Sequence, residues 1–76
     1  MNLERLILDN LNLAHPRMLT ENVLWRGVQL DDGTTSLTDL RNAVRKLESK
    51  DQVVAVSGED ATRIKITQAG IARLAE

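Results

Sequence analysis

The stretch from Ser36 to Lys50 constrains the fold more than any other part of the chain. Leu37, Leu40, Val44 and Leu47 recur at three- and four-residue steps, which places them on one face of an α-helix. Ser36 stands where a helix cap is needed. Asp39, three residues on, can close a capping box and sits well near the positive helix end. The other face carries Thr38, Asn42, Arg45, Lys46 and Ser49. At about 100° per residue these fall within about 60° of the direction away from the apolar stripe. A helix with short polar, amide and basic groups on one side is suited to a DNA major groove, and equally to an ordinary solvated surface.

The neighbouring segments can supply what this helix packs against. Leu3, Leu6, Ile7, Asn10 and Leu11 repeat at helical spacing, with Asn2 as a cap, so residues 2–13 read as a first amphipathic helix. It ends before His15-Pro16, because a residue preceding proline is pushed out of the α region. Met18-Leu19 reads as a brief strand. Thr20 then caps a second helix, with Leu19 and Leu24 spaced as a hydrophobic staple. Its buried side is read as Val23, Leu24, Trp25 and Val28, and Gly27 within it permits close approach of a neighbour. Asp31-Asp32-Gly33-Thr34-Thr35 is a turn by composition.

After Gln52 the period changes. Val53 to Val56 is a mostly apolar, β-branched run, and Ser57-Gly58-Glu59-Asp60 is a turn. Thr62 to Thr67 alternates strictly, with Ile64 and Ile66 on one side and Arg63 and Lys65 on the other. That is a β-hairpin. Thr67 caps a short final helix with Ile71 and Leu74 inside.

Composition narrows the function. The chain of 76 residues suffices for one small domain. It has one Trp and no Phe or Tyr, so the core is aliphatic and an aromatic base-stacking platform is excluded. It has no Cys, which excludes disulfides, thiolate metal sites and cysteine nucleophiles. No apolar run approaches the roughly 18 residues of a membrane span, and the N-terminus is too charged for a signal peptide, so a cytoplasmic protein is expected. His15, the one histidine, is read as a turn residue. No set of side chains meets the needs of a reacting site, so neither an enzyme nor a cofactor or metal is expected.

The order helix, helix, helix, hairpin, helix resembles the winged-helix variant of the helix-turn-helix. The run Ile64-Lys65-Ile66-Thr67-Gln68-Ala69-Gly70-Ile71-Ala72-Arg73-Leu74 resembles the strand, Thr-x-x-Gly, helix ending of bacterial winged-helix regulators of the MarR and PadR type. Leu40 through Val54 resembles the third helix of that group entering its wing. The resemblance covers nearly the whole chain. It implies an α+β fold over residues 1–76: a three-helix helix-turn-helix core, a two-stranded β-hairpin wing and a short C-terminal helix. It also implies that the third helix recognises double-stranded DNA. Thr38, Asn42, Arg45, Lys46 and Ser49 would face the groove. Thr34, Thr35 and Ser36 would lie near phosphates, and Arg63 and Lys65 would add phosphate contacts.

Charge keeps a second reading open. The net charge is −1, whereas phosphate neutralisation favours basic proteins. The wing tip, Gly58-Glu59-Asp60, would repel phosphate. Within residues 31–50, Asp31, Asp32, Asp39 and Glu48 balance Arg41, Arg45, Lys46 and Lys50. The two readings are therefore a small transcriptional regulator that binds DNA and a winged-helix module that binds a protein partner. The long helices through which MarR and PadR proteins dimerise or bind effectors are not in the chain, so a stand-alone domain is expected, or a small homodimer formed through the first helix.

Overall fold

The computed structural model describes residues 2–76. The elements run α1 (Leu3–Ala14), β1 (Leu19–Thr20), α2 (Glu21–Asp31), α3 (Leu37–Ser49), β2 (Val53–Ser57), β3 (Thr62–Ile66) and α4 (Gln68–Leu74). The caps are those the sequence supplies. The Asn2 side chain accepts from the Glu4 and Arg5 amides, and Thr20 accepts from the Val23 amide. Ser36 and Asp39 form a complete capping box, with Asp39 N to Ser36 Oγ at 3.0 Å and Ser36 N to Asp39 Oδ2 at 3.3 Å. Each cap satisfies amides that a helix cannot satisfy internally.

The core is aliphatic. Ile7, Leu8 and Leu11 from α1, Leu24 and Val28 from α2, Leu40 and Leu47 from α3, and Ile64 and Ile66 from β3 are almost completely shielded from solvent. Each such side chain contributes about 1.5–3 kcal/mol by leaving water. Trp25 is half-buried against this cluster, and its indole Nε1 donates to the Thr35 carbonyl at 3.0 Å. Gly27 lets α1 and α2 approach closely: a Cβ there would overlap the Asn10 side chain.

Four details differ from the sequence reading. The hairpin carries a third strand, because β1 pairs with β3 and gives the antiparallel order β1-β3-β2. That strand is Leu19–Thr20 rather than Met18-Leu19, since Leu19 lies opposite the buried Ile64. Val23 is exposed rather than buried, because the core side of α2 is taken by Leu24 and Val28. β2 alternates from Val53 to Val56: Val53 is buried, Ala55 half-buried, and Val54 and Val56 exposed. Val54 and Val56 lie opposite Lys65 and Arg63 on the outer face of the sheet.

The C-terminal end of α3 is tightly built. Asp51 adopts a left-handed conformation, with φ of 59°. The amides of Asp51 and Gln52 return to the Glu48 and Leu47 carbonyls, each at 3.0 Å, which is a Schellman ending. The Thr67 hydroxyl donates to the Asp51 carbonyl at 2.5 Å and accepts from the Gly70 amide at 3.3 Å. Gly70 is buried where a Cβ would overlap the Gln52 carbonyl and lie 2.7 Å from Ile66 Cγ1. The Thr-x-x-Gly spacing thus serves one cap and one close approach.

Candidate nucleic-acid interface

α3 presents its polar face to solvent. Thr38, Asn42, Arg45, Lys46 and Ser49 are all exposed. The turn before the helix is held by Asp32, whose Oδ1 accepts from the Thr34 hydroxyl at 2.7 Å and the Thr34 amide at 3.2 Å. The Thr34 hydroxyl holds the Asp32 carboxyl below its ordinary value, with the Thr34 amide adding to the effect. Ser36 is exposed, and its hydroxyl is engaged in the cap. The Ser49 hydroxyl donates back to the Lys46 carbonyl at 2.7 Å.

Thr35 differs from its neighbours. It is only 6% exposed, and its carbonyl accepts from Trp25 and Gln29. The turn directs it into the protein, so its side chain does not share the surface of Ser36 and Thr38. Arg63 and Lys65 also stand apart. Ile64 and Ile66 face the core, so by strand alternation Arg63 and Lys65 face the other way. Arg63 is exposed and Lys65 half-buried there, beside Val54 and Val56. The structure therefore gathers Ser36, Thr38, Asn42, Arg45, Lys46 and Ser49 on one helix face and leaves Arg63 and Lys65 on the reverse of the wing.

The polar face of α3 is a ridge between two hollows. On one side Asn42 and Lys46 border a hollow with Glu4, Asp32, Thr34 and Asp39. On the other, Arg45 borders a hollow with Glu21, Arg41 and Glu48, and with Ser57 and Thr62 from the inner side of the wing. Arg41 is tied to Glu21 of α2, with Nη2 to Oε1 at 2.9 Å and Nε to Oε1 at 3.0 Å. That bond, and the charge behind it, raise the Arg41 pKa. Arg45 and Lys46 have no carboxylate partner among the described residues. The Arg45–Glu48 surface pair that the sequence permits is not formed.

Sequence reasoning missed Arg41 as the clamp between α2 and α3, because its partner lies twenty residues away. It also missed Ser57 and Thr62. These pair with each other at the end of the hairpin and belong to the alternation set of Ala55 and Ile64. That alternation is the signal that places them, rather than Arg63 and Lys65, beside α3. Among the described residues no three His, Asp or Glu side chains gather as a metal site. No helix among them is long and apolar enough to cross a membrane.

The structure is similar to that of a point mutant of MepR from S. aureus bound to an oligodeoxyribonucleotide, with a TM-score of 0.81 over 99% of this chain. The fold is a winged helix. The two sequences are 20% identical, and the chain matches 53% of the MepR chain, about half its length. No family model and no curated protein matches the sequence. In winged-helix terms α2 and α3 form the helix-turn-helix, and β2 and β3 form the wing. The third short strand, β1, closes the sheet at the start of α2.

Proposed function

We propose that this winged helix binds double-stranded DNA by placing the exposed face of α3 in the major groove, as a small cytoplasmic transcriptional regulator. One observation carries the reading: Arg45 and Lys46 are exposed, adjacent on the polar face and free of carboxylate partners among the described residues, whereas Arg41 is held by Glu21. The fold shared with a DNA-bound neighbour supports it. In this role Arg45 and Asn42 have the side-chain chemistry to pair with base edges. Lys46, together with the exposed hydroxyls of Thr38 and Ser49, is suited to backbone contacts. Ser36 sits at the helix start, where amides and the positive helix end favour a phosphate. Arg63 and Lys65 are assigned a secondary part, because they face away from α3.

The acidic wing tip favours a second reading, a protein-interaction module without a nucleic-acid partner. Glu59 and Asp60 are exposed at the point that would approach phosphate. A duplex titration at low and moderate salt separates the two. DNA binding predicts an affinity that falls steeply with salt, with a log–log slope of about 0.9 per phosphate contact. No binding at about 50 mM salt, where phosphate contacts are strong, would leave the protein-interaction reading.

A further inference from the structure

We infer that the free edge and outer face of β2 dock an extended acidic segment of another protein, which adds to the sheet as a further strand. β2 lies at one edge of the antiparallel order β1-β3-β2. At the two ends of the hairpin, the Gly58 amide donates to the Ala61 carbonyl at 2.9 Å and the Thr67 amide to the Gln52 carbonyl at 3.1 Å. Hydrogen-bonded pairs alternate along an antiparallel ladder, so Val54 and Val56 direct their backbone groups to β3. Val53, Ala55 and Ser57 turn theirs to the open side, where no backbone group elsewhere among the described residues pairs with them. The two edges of this sheet differ. β1 is two residues long and runs straight into α2, whereas β2 offers five residues, Val-Val-Ala-Val-Ser. Short length, proline and charge are what shield an edge from strand addition, and β2 has none of them.

The outer face identifies the occupant. Val54 and Val56 are 48% and 51% exposed, and Lys65 and Arg63 lie opposite them on β3. Among the described residues neither cation forms an ion pair, and nor do Glu59 and Asp60 at the wing tip or Asp51 ahead of β2, the acids at either end of the hairpin. The face therefore sets two unanswered cations beside two valines. A strand added to β2 lies two strand spacings from β3, about 10 Å. Glutamates at alternate positions of that strand reach the cations across the short valines, and the apolar stems of these side chains cover Val54 and Val56. Aspartate, a methylene shorter, fits this reach less well. A basic segment is repelled, and a second copy docked edge to edge brings two more cations and no anion. The face is the reverse of the wing from α3, so the inference does not rest on the DNA-binding reading.

Amide NMR of the full chain tests it, with titration of a peptide of about seven alternating threonine and glutamate residues, long enough to span the five residues of β2. The expected result is saturable shifts at the amides of Val53–Ser57, with slowed solvent exchange at Ala55 and Ser57. The same peptide with lysine in place of glutamate should bind about tenfold more weakly or worse. The Arg63→Glu, Lys65→Glu double variant should reverse that preference. Ser57→Pro removes an amide that faces the open edge rather than the ladder, so it should keep the hairpin and weaken peptide binding. No shift at β2 with millimolar glutamate peptide, or binding indifferent to the charge reversal, overturns the proposal. So do shifts of these amides caused by duplex DNA and not by the peptide, or shifts that follow protein concentration alone, which would assign the edge to a second copy.

Discussion

Two polar regions of this protein use the same side-chain types to opposite ends. At the junction of α1, α3 and α4, Glu4 accepts from Arg73 Nη1 at 2.9 Å and Lys50 Nζ at 3.2 Å, and Arg73 also donates to Gln52 Oε1 at 2.8 Å. Thr67 and the Asp51 carbonyl complete the set. Each of these cations is spent on holding elements together. On the outward face of α3, Arg45 and Lys46 lie on the same helix as Arg41 and have no such partner among the described residues. The contrast shows that counting charges is a poor guide to what a small, nearly neutral domain can bind. What matters is which charges the fold leaves unpaired, and where.

If the junction is structural and the α3 face is not, substitutions should separate stability from binding. The largest effect is expected at Gly70. Gly70→Val forces side-chain atoms into the Gln52 carbonyl and Ile66, and should cost about 3 kcal/mol or more. For a domain this size that lowers the melting temperature by more than about 10 °C. An unchanged melt would show that α4 can move away without loss, and would remove the junction from the account.

A smaller effect is expected at Glu4. Its carboxyl is held below the ordinary glutamate value, first because Arg73 donates to it and then through Lys50, with partial burial opposing both. Its stabilisation is therefore complete above the ordinary glutamate range and fades as the pH falls through the depressed value. Glu4→Gln should cost about 1 kcal/mol near neutral pH, given that the pairs are partly exposed. Melts taken down to about pH 3 should show the gap between variant and wild type narrowing. A gap that stays constant would mean that the pairs contribute nothing.

The smallest effect is expected on the reverse of the wing. Arg63→Ala should weaken duplex binding less than Arg45→Ala at the same salt, because Arg63 faces away from α3. Equal losses would redraw the interface to include the outer face of the sheet.

Local signals made much of the fold legible. A cap acts within three residues, so Asn2, Thr20, Ser36 with Asp39, and Thr67 could each be read directly. Apolar spacing placed α3, and strict alternation placed β3. The features that escaped depend on distant partners or unusual residues. β1 is two residues long and exists only because β3 accepts it. The left-handed turn after α3 is made by Asp51, where glycine is the usual signal. Val23, Val54 and Val56 look like core residues by type, and only the packed structure shows that Leu24, Val28 and Val53 take the inner positions. For the candidate site, the α3 face was readable from the helical wheel alone. The burial of Thr35 was not, because it depends on how the turn meets Trp25 and Gln29.

If the unpaired cations of α3 form the DNA-binding face, a salt series on the Arg45→Ala, Lys46→Ala double variant will show it. The fold should be unaffected, with stability changed by no more than about 0.5 kcal/mol at these exposed positions. Duplex affinity should drop sharply, and the log–log salt slope should fall by about 0.9 for each phosphate contact removed. A double variant that binds duplex DNA with wild-type affinity and an unchanged slope would contradict the account.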